Sequence, residues 1–201
     1  LDPILTGHGQ LAALPHNPLG LTGADGNFWI DSNSALVWNS ALQGSGGEIQ
    51  VPWAVLDLTR GQLAGAVTTE RFNLATPLAL LELRGGGQGV IDLHHQNYSG
   101  TAWLEDSRIQ AGGLPALNGV RGFLAFEPGT MFVPQLEIQA AGAPVEVTGS
   151  WTSGQGHLWL RSPGINLAHW LNLPGAQGTQ QLMASARVQA GQIAAFRLST
   201  R

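Results

Sequence analysis

The sequence predicts an all-β protein: an antiparallel meander of about a dozen strands at a spacing of roughly 8–12 residues, with two short helical plugs between them. Three observations predict it. Apolar and polar residues alternate in consecutive short runs, most clearly over residues 120–161, which is the period of a strand with one wet face. Turn residues separate the runs. No helix-like run long enough for a crossover stands between neighbours, so successive strands pair directly.

Composition agrees. Glycine supplies 28 of the 201 residues, about twice its usual share of roughly 7%. Charged residues make up 11%, against roughly 25% in an average chain. Such a chain is too apolar to be disordered and rich in tight turns. All nine basic residues are arginines, scattered singly in a chain of net charge −4, so no basic stripe exists to neutralise phosphates and nucleic acid is excluded as a partner. The absence of cysteine excludes disulfides and thiolate metal sites. No apolar run reaches the roughly 18–20 residues of a membrane span. The chain opens on Leu1, and reads as a single β domain over residues 1–201 cut from a longer protein or relieved of an N-terminal anchor.

Taken in order, residues 1–20 hold three prolines and show no clear period. "NFWI", "SALVWNSAL", "EIQVPWAVLDL" and "GQLAGAVTTE" read as strands, with Pro52 marking a bend or an edge. The first plug is "RFNLATPLALLELRGGGQG" (71–89), where Leu74, Leu78 and Leu81 follow a helical spacing and Pro77 suits a first helical position. "GVIDLHH" and "SGTAWLEDSRIQ" return to strand. Four runs then keep one apolar face: Val120, Leu124 and Phe126; Phe132, Leu136 and Ile138; Val145, Val147 and Trp151; Leu158 and Leu160. "EPGT" between the first two places Pro128 and Gly129 as a type II turn requires. The second plug is "GINLAHWLNLPGAQG" (164–178), with Leu167, Trp170 and Leu171 at helical spacing, and two strands follow it. The recurrence of Asn-Leu-Ala gives a weak internal repeat, 65–110 against 156–200.

The order of strand, Asn-Leu plug, glycine turn and strands, followed by "LNGVRGFLAFEPGTMFVPQLEIQAAGAPVEVTGSW", resembles the AsmA-like group of bacterial envelope proteins, TamB and its long relatives included. The shared cadence is G-x-L-x-F, a turn, V-P-x-L-x-I, then V-x-V-x-G-x-W, and it covers about residues 60–200. The resemblance implies a long, curved, half-open sheet folded like a taco around an apolar groove. It implies a non-enzymatic periplasmic segment of a bridge between the membranes of a diderm bacterium, carrying phospholipid or another amphiphile. GspN, a type II secretion component acting by protein contact, shares the cadence and is the close alternative, with envelope or secretion proteins as partners.

The residues alone meet this at one point. A one-sided apolar sheet must cover that face with a second layer, a fold of itself or a guest, and two short plugs are too small to cover a dozen strands. The candidate lining is Val120, Leu124, Phe126, Phe132, Leu136, Ile138, Val145, Val147, Trp151, Leu158 and Leu160. A third reading, a closed β-sandwich binding carbohydrate or protein, makes the same residues a core.

Catalytic and metal chemistry find little support. His94 and His95, adjacent in an expected strand, point to opposite faces, and the Asp92–His94 pair lacks further ligands at a telling spacing. "GSGGE" (44–48) is not a nucleophile elbow, and "RGGGQG" (84–89) lacks the Lys-Ser/Thr of a phosphate loop. Neither an enzyme nor a cofactor is expected. Of the seven tryptophans, most are expected to pack in the core or at sheet ends; Trp159, which alternates onto the polar face, is the candidate platform for a sugar ring.

Overall fold

Alternating β-branched and small residues favour extended chain wherever each strand finds a neighbour, and here the neighbour is always the next strand in sequence. The structure, a computed structural model, describes residues 5–12, 21–75, 79–111, 116–140, 142–166, 180–189 and 192–200. Its elements are β1 (Leu5–Ala12), β2 (Leu21–Ile30), β3 (Ser34–Gly44), β4 (Gly47–Asp57), β5 (Gln62–Ala75), β6 (Ala79–Asp92), β7 (Asn97–Ala111), β8 (Leu117–Glu127), β9 (Thr130–Ala140), β10 (Ala143–Thr152), β11 (Gln155–Ile165), β12 (Gln180–Gln189) and β13 (Gln192–Thr200). They form an antiparallel sheet of 13 strands whose spatial order is the chain order, with β1 and β13 at its ends, so the sheet is not closed. Contacts divide the chain into two compact units, residues 1–102 and 103–201.

In the first unit, three hairpins turn on an aspartate that ends or follows a strand. Asp31 Oδ1 accepts the backbone N–H groups of Asn33 (2.8 Å) and Ser34 (2.6 Å), and Asp57 Oδ1 those of Thr59 and Arg60 (both 2.9 Å). Asp92 Oδ1 accepts those of His94 and His95 at 3.0 Å. Each is a side chain imitating a backbone turn. Within β3, Asn39 has φ +47° and marks a bulge. There Ser40 is tucked under Gly26, where a Cβ would overlap its hydroxyl.

The first plug is not a helix. Residues 71–75 continue β5 and residues 79–89 lie in β6, with Phe72 opposite Leu83, Asn73 opposite Glu82 and Leu74 opposite Leu81. An Arg71 Nε–Glu82 Oε1 ion pair of 2.9 Å ties the two strands together. Leu81 therefore meets Leu74 across a strand pair instead of along a helix face; Leu78 lies outside the described residues. The second plug keeps only Gly164 and Ile165, which end β11, and Asn166; its residues 167–178 lie outside the described residues. Among the described residues there is no helix.

Two hairpins of the second unit close on glycine. Glu127 pairs Thr130 across Pro128-Gly129, with Gly129 at φ +72°, as a type II turn demands. Ser153 (φ +48°) and Gly154 (φ +79°) make the two-residue mirror-image turn between β10 and β11. Its core joins Val120, Ile138, Ala140, Ala143, Val145, Val147, Ile165, Leu182 and Ala184. Val120 and Ile165 are wholly buried.

Candidate functional site

Directly opposed residues of an antiparallel pair share a face, so register assigns the faces without further assumption. In the second unit one row runs Gly122–Leu136–Val147–Leu160–Ala184 across β8 to β12. Flanking rows bring Ile138 to Val145, Val133 to Gly149 and Leu158, and Phe126 and Trp151 to Met131. Eight of the predicted lining residues thus share a face by register: Phe126, Leu136, Ile138, Val145, Val147, Trp151, Leu158 and Leu160. Val120 packs in the same cluster, and Leu124 is half-buried at a register shift between Phe123 and Ala125.

Phe132 does not belong with them. It lies opposite Ser150 and Ala125 and is 37% exposed, whereas Val133 is buried. The cause is a β-bulge: three residues of β9 (Leu136 to Val133) span what two residues of β10 (Val147 to Gly149) span. Pro134 sits inside that bulge, where its lack of an N–H costs no ladder bond. One extra residue reverses the alternation beyond it. Simple alternation also misses Ile165 and Leu182, both buried in the cluster. The buried Ser162 hydroxyl beside them donates to the Pro144 carbonyl at 2.8 Å. Of the shared face, Val120, Ile138, Val145 and Val147 are buried, and Leu124, Phe126, Leu136, Trp151, Leu158 and Leu160 are half-buried.

The first unit is more open. One row, Leu5–Ile30–Ala35–Leu56–Leu63–Ile91, crosses β1 to β6 without a polar side chain. Five strand steps at about 4.8 Å make it roughly 24 Å long. Leu5 is 59% exposed, Ile30 37% and Ile91 43%, and the rest are half-buried. The opposite face is also apolar in its middle, through Trp29, Leu36, Val55, Ala64 and Val90 in register. The one-sided alternation expected of the whole sheet therefore holds for the second unit and fails here. Among the described residues of this unit only Val51 and Phe72 are buried apolar residues.

The polar groups take structural positions. Residues 93–96 form a turn, so His94 and His95 do not alternate across a strand, and Asp92 pairs with His95 (Oδ2 to Nδ1, 2.9 Å) instead of His94. His8 Nε2 lies 3.3 Å from Asp25 Oδ1 and its Nδ1 3.4 Å from Asn27. The carboxyls of Asp31, Asp57 and Asp92 are held below the usual carboxylate range, chiefly by the Asn33 N–H, the Thr59 hydroxyl and the His95 N–H respectively. Among the described residues no three His, Asp or Glu side chains converge as metal ligands would. Trp53 and Trp159 are exposed; Trp29, Trp38, Trp103 and Trp151 are half-buried.

No family model, curated protein or solved structure matches the chain. Its most distinctive structural property is the long antiparallel meander with an apolar face left partly uncovered.

Proposed function

We propose that this protein is a non-enzymatic segment that shields the acyl chains of a phospholipid or similar amphiphile against an apolar sheet face, in the manner of the AsmA-like and TamB-type envelope proteins that its cadence resembles. A periplasmic position in a diderm envelope goes with that reading. The observation that carries it is the row from Leu5 to Ile91, which leaves large side chains 37–59% exposed at its flanks. Each methylene laid against such a surface gains about 0.8 kcal/mol. Backbone donors and acceptors inside the sheet are paired along the ladder, so an apolar guest strands none of them.

The tightly packed cluster around Val145 favours a second reading for residues 120–160. In it these residues are a core, and the protein works by protein contact, as a GspN-like secretion component would.

Native mass spectrometry of the purified protein, with solvent extraction, separates the two. Co-purifying phospholipid at about one per chain, lost in Ile30→Asp through the cost of desolvating an unpaired charge, supports the shielding role. A bare mass that stays bare on adding phospholipid, or lipid retained undiminished by Ile30→Asp, overturns it.

A further inference from the structure

The face of the second unit opposite its core carries a grouping that the shielding role does not use. On β11 to β13, Trp159 stands opposite Ser185, which stands opposite Arg197. The neighbouring rows are His157–Arg187–Ala195 and Arg161–Met183–Ser199. Ser185, small and central, separates the backbone positions of Trp159 and Arg197 by two strand spacings, close to 10 Å. Two concavities open there, of about 770 Å³ and 350 Å³, and Trp159, Ser185 and Arg197 line both.

Three properties of this place point to a ligand. Trp159 is 53% exposed on a polar face, where a residue of its size is ordinarily covered. Arg187 and Arg197 have no carboxylate within 4 Å among the described residues, in a chain of net charge −4 whose Arg60, Arg71 and Arg121 are all ion-paired. Arg161 faces Glu146, its opposed residue on β10, so the net local charge is positive through Arg187 and Arg197. Hydroxyl groups of Thr148, Ser185 and Ser199 complete the lining.

We infer that the outer face of β11–β13 binds a sugar ring bearing a carboxylate or phosphate. The ring's apolar side stacks on Trp159, its hydroxyls meet Ser185 and its neighbours, and its anionic group is held by Arg197 and Arg187. Guanidinium matches such oxyanions in a bidentate fork. An indole supplies the broad flat surface that arginines alone lack.

Amide and indole NMR spectra of the full chain, titrated with methyl glucuronide, methyl glucoside and acetate, test this. Methyl glucuronide is expected to move the Trp159 indole signal with a Kd of about 1 mM, at least tenfold tighter than methyl glucoside or acetate. Trp159→Ala should abolish the shifts that methyl glucuronide causes in the backbone amides of Ser185 and Arg197, which share its row. Arg187→Gln with Arg197→Gln should bring methyl glucuronide down to the level of methyl glucoside, a loss of about tenfold, without altering the glucoside. All three side chains are exposed, so the variants keep the fold. If acetate binds as well as methyl glucuronide, the place is a simple anion patch and the inference fails. It fails equally if no ligand moves the Trp159 signal, or if the double arginine variant leaves the preference intact.

Discussion

Replacing Val133 and Phe132 separately by alanine tests the register of β9, and through it the assignment of every side chain beyond the Pro134 bulge. Val133 is 5% exposed and faces Gly149 and the core side; Phe132, one residue earlier, is 37% exposed and faces Ser150. Val133→Ala removes two buried methyl groups at about 0.8 kcal/mol each. The residual cavity adds a fraction of that at about 24 cal/mol per Å³, for a total of roughly 2 kcal/mol. Phe132→Ala removes far more carbon, yet from a side chain already partly in water, and should cost less, about 1 kcal/mol. Urea denaturation followed by fluorescence reads both from the shift in midpoint at unchanged slope. Strict alternation without a bulge predicts the reverse order, with Phe132→Ala costing about 3–5 kcal/mol as a buried phenylalanine does. If Phe132→Ala proves the costlier, the bulge is misplaced and the shared face must be redrawn.

Gly122 sits at φ +139° with the Gln135 carbonyl where a Cβ would go, so Gly122→Ala should cost at least about 2 kcal/mol; a neutral result in the same urea assay would mean that the strands do not approach so closely there. The three turn aspartates have lowered pKa values. Their contribution is complete above the unfolded value of about 3.9 and disappears as pH falls through the lower folded values. Melting temperature should therefore drop below about pH 4, and replacing Asp31, Asp57 and Asp92 together by Asn, which keeps the turn but cannot titrate, should flatten that drop. An equally steep acid limb in the triple variant would locate the sensitivity elsewhere. Glu137 and Glu146 are directly opposed, and among the described residues only Glu137 has an arginine in contact, Arg121 at 2.7 Å. Glu146→Gln should thus leave the unfolding midpoint unchanged or slightly raised, and a marked fall would show that Glu146 holds a partner such as Arg161 in solution.

The strands from β8 to β11 were legible because one face there is wet and the other packed, which writes an alternation into the residues. Pro128-Gly129 and Ser153-Gly154 punctuated them with turns whose positive φ values glycine makes cheap. The first unit was harder to read because Trp29, Leu36 and Val55 make its second face apolar as well, so periodicity carried less information. The first plug shows the same ambiguity. Leu74, Leu78 and Leu81 fit a helical face, but an apolar run of that length fits a strand equally. What decided was tertiary: Phe72 is buried opposite Leu83, and Arg71 reaches Glu82. A usable signal did lie in the sequence, since Ile30-Asp31, Leu56-Asp57 and Ile91-Asp92 repeat an apolar residue followed by a turn-forming aspartate at three hairpins on one end of the sheet. The bulge at Pro134 leaves no comparable mark beyond the proline itself, so alternation alone puts Phe132 on the wrong face. Within the proposed sugar site, Trp159 was visible by alternation, whereas Arg187 and Arg197 became neighbours of it only through the pairing of β12 with β11 and β13.

Because spatial order and chain order coincide along all 13 strands, each strand finds its partner within one hairpin's length of chain. Most of the connections are a few residues long and inexpensive to close, and pairing of this kind can follow the chain as it leaves the ribosome, one hairpin templating the next. The same property makes length an evolvable variable. Duplicating or deleting a hairpin changes how far the sheet extends while leaving every remaining pairing intact, much as a repeat array grows by whole units.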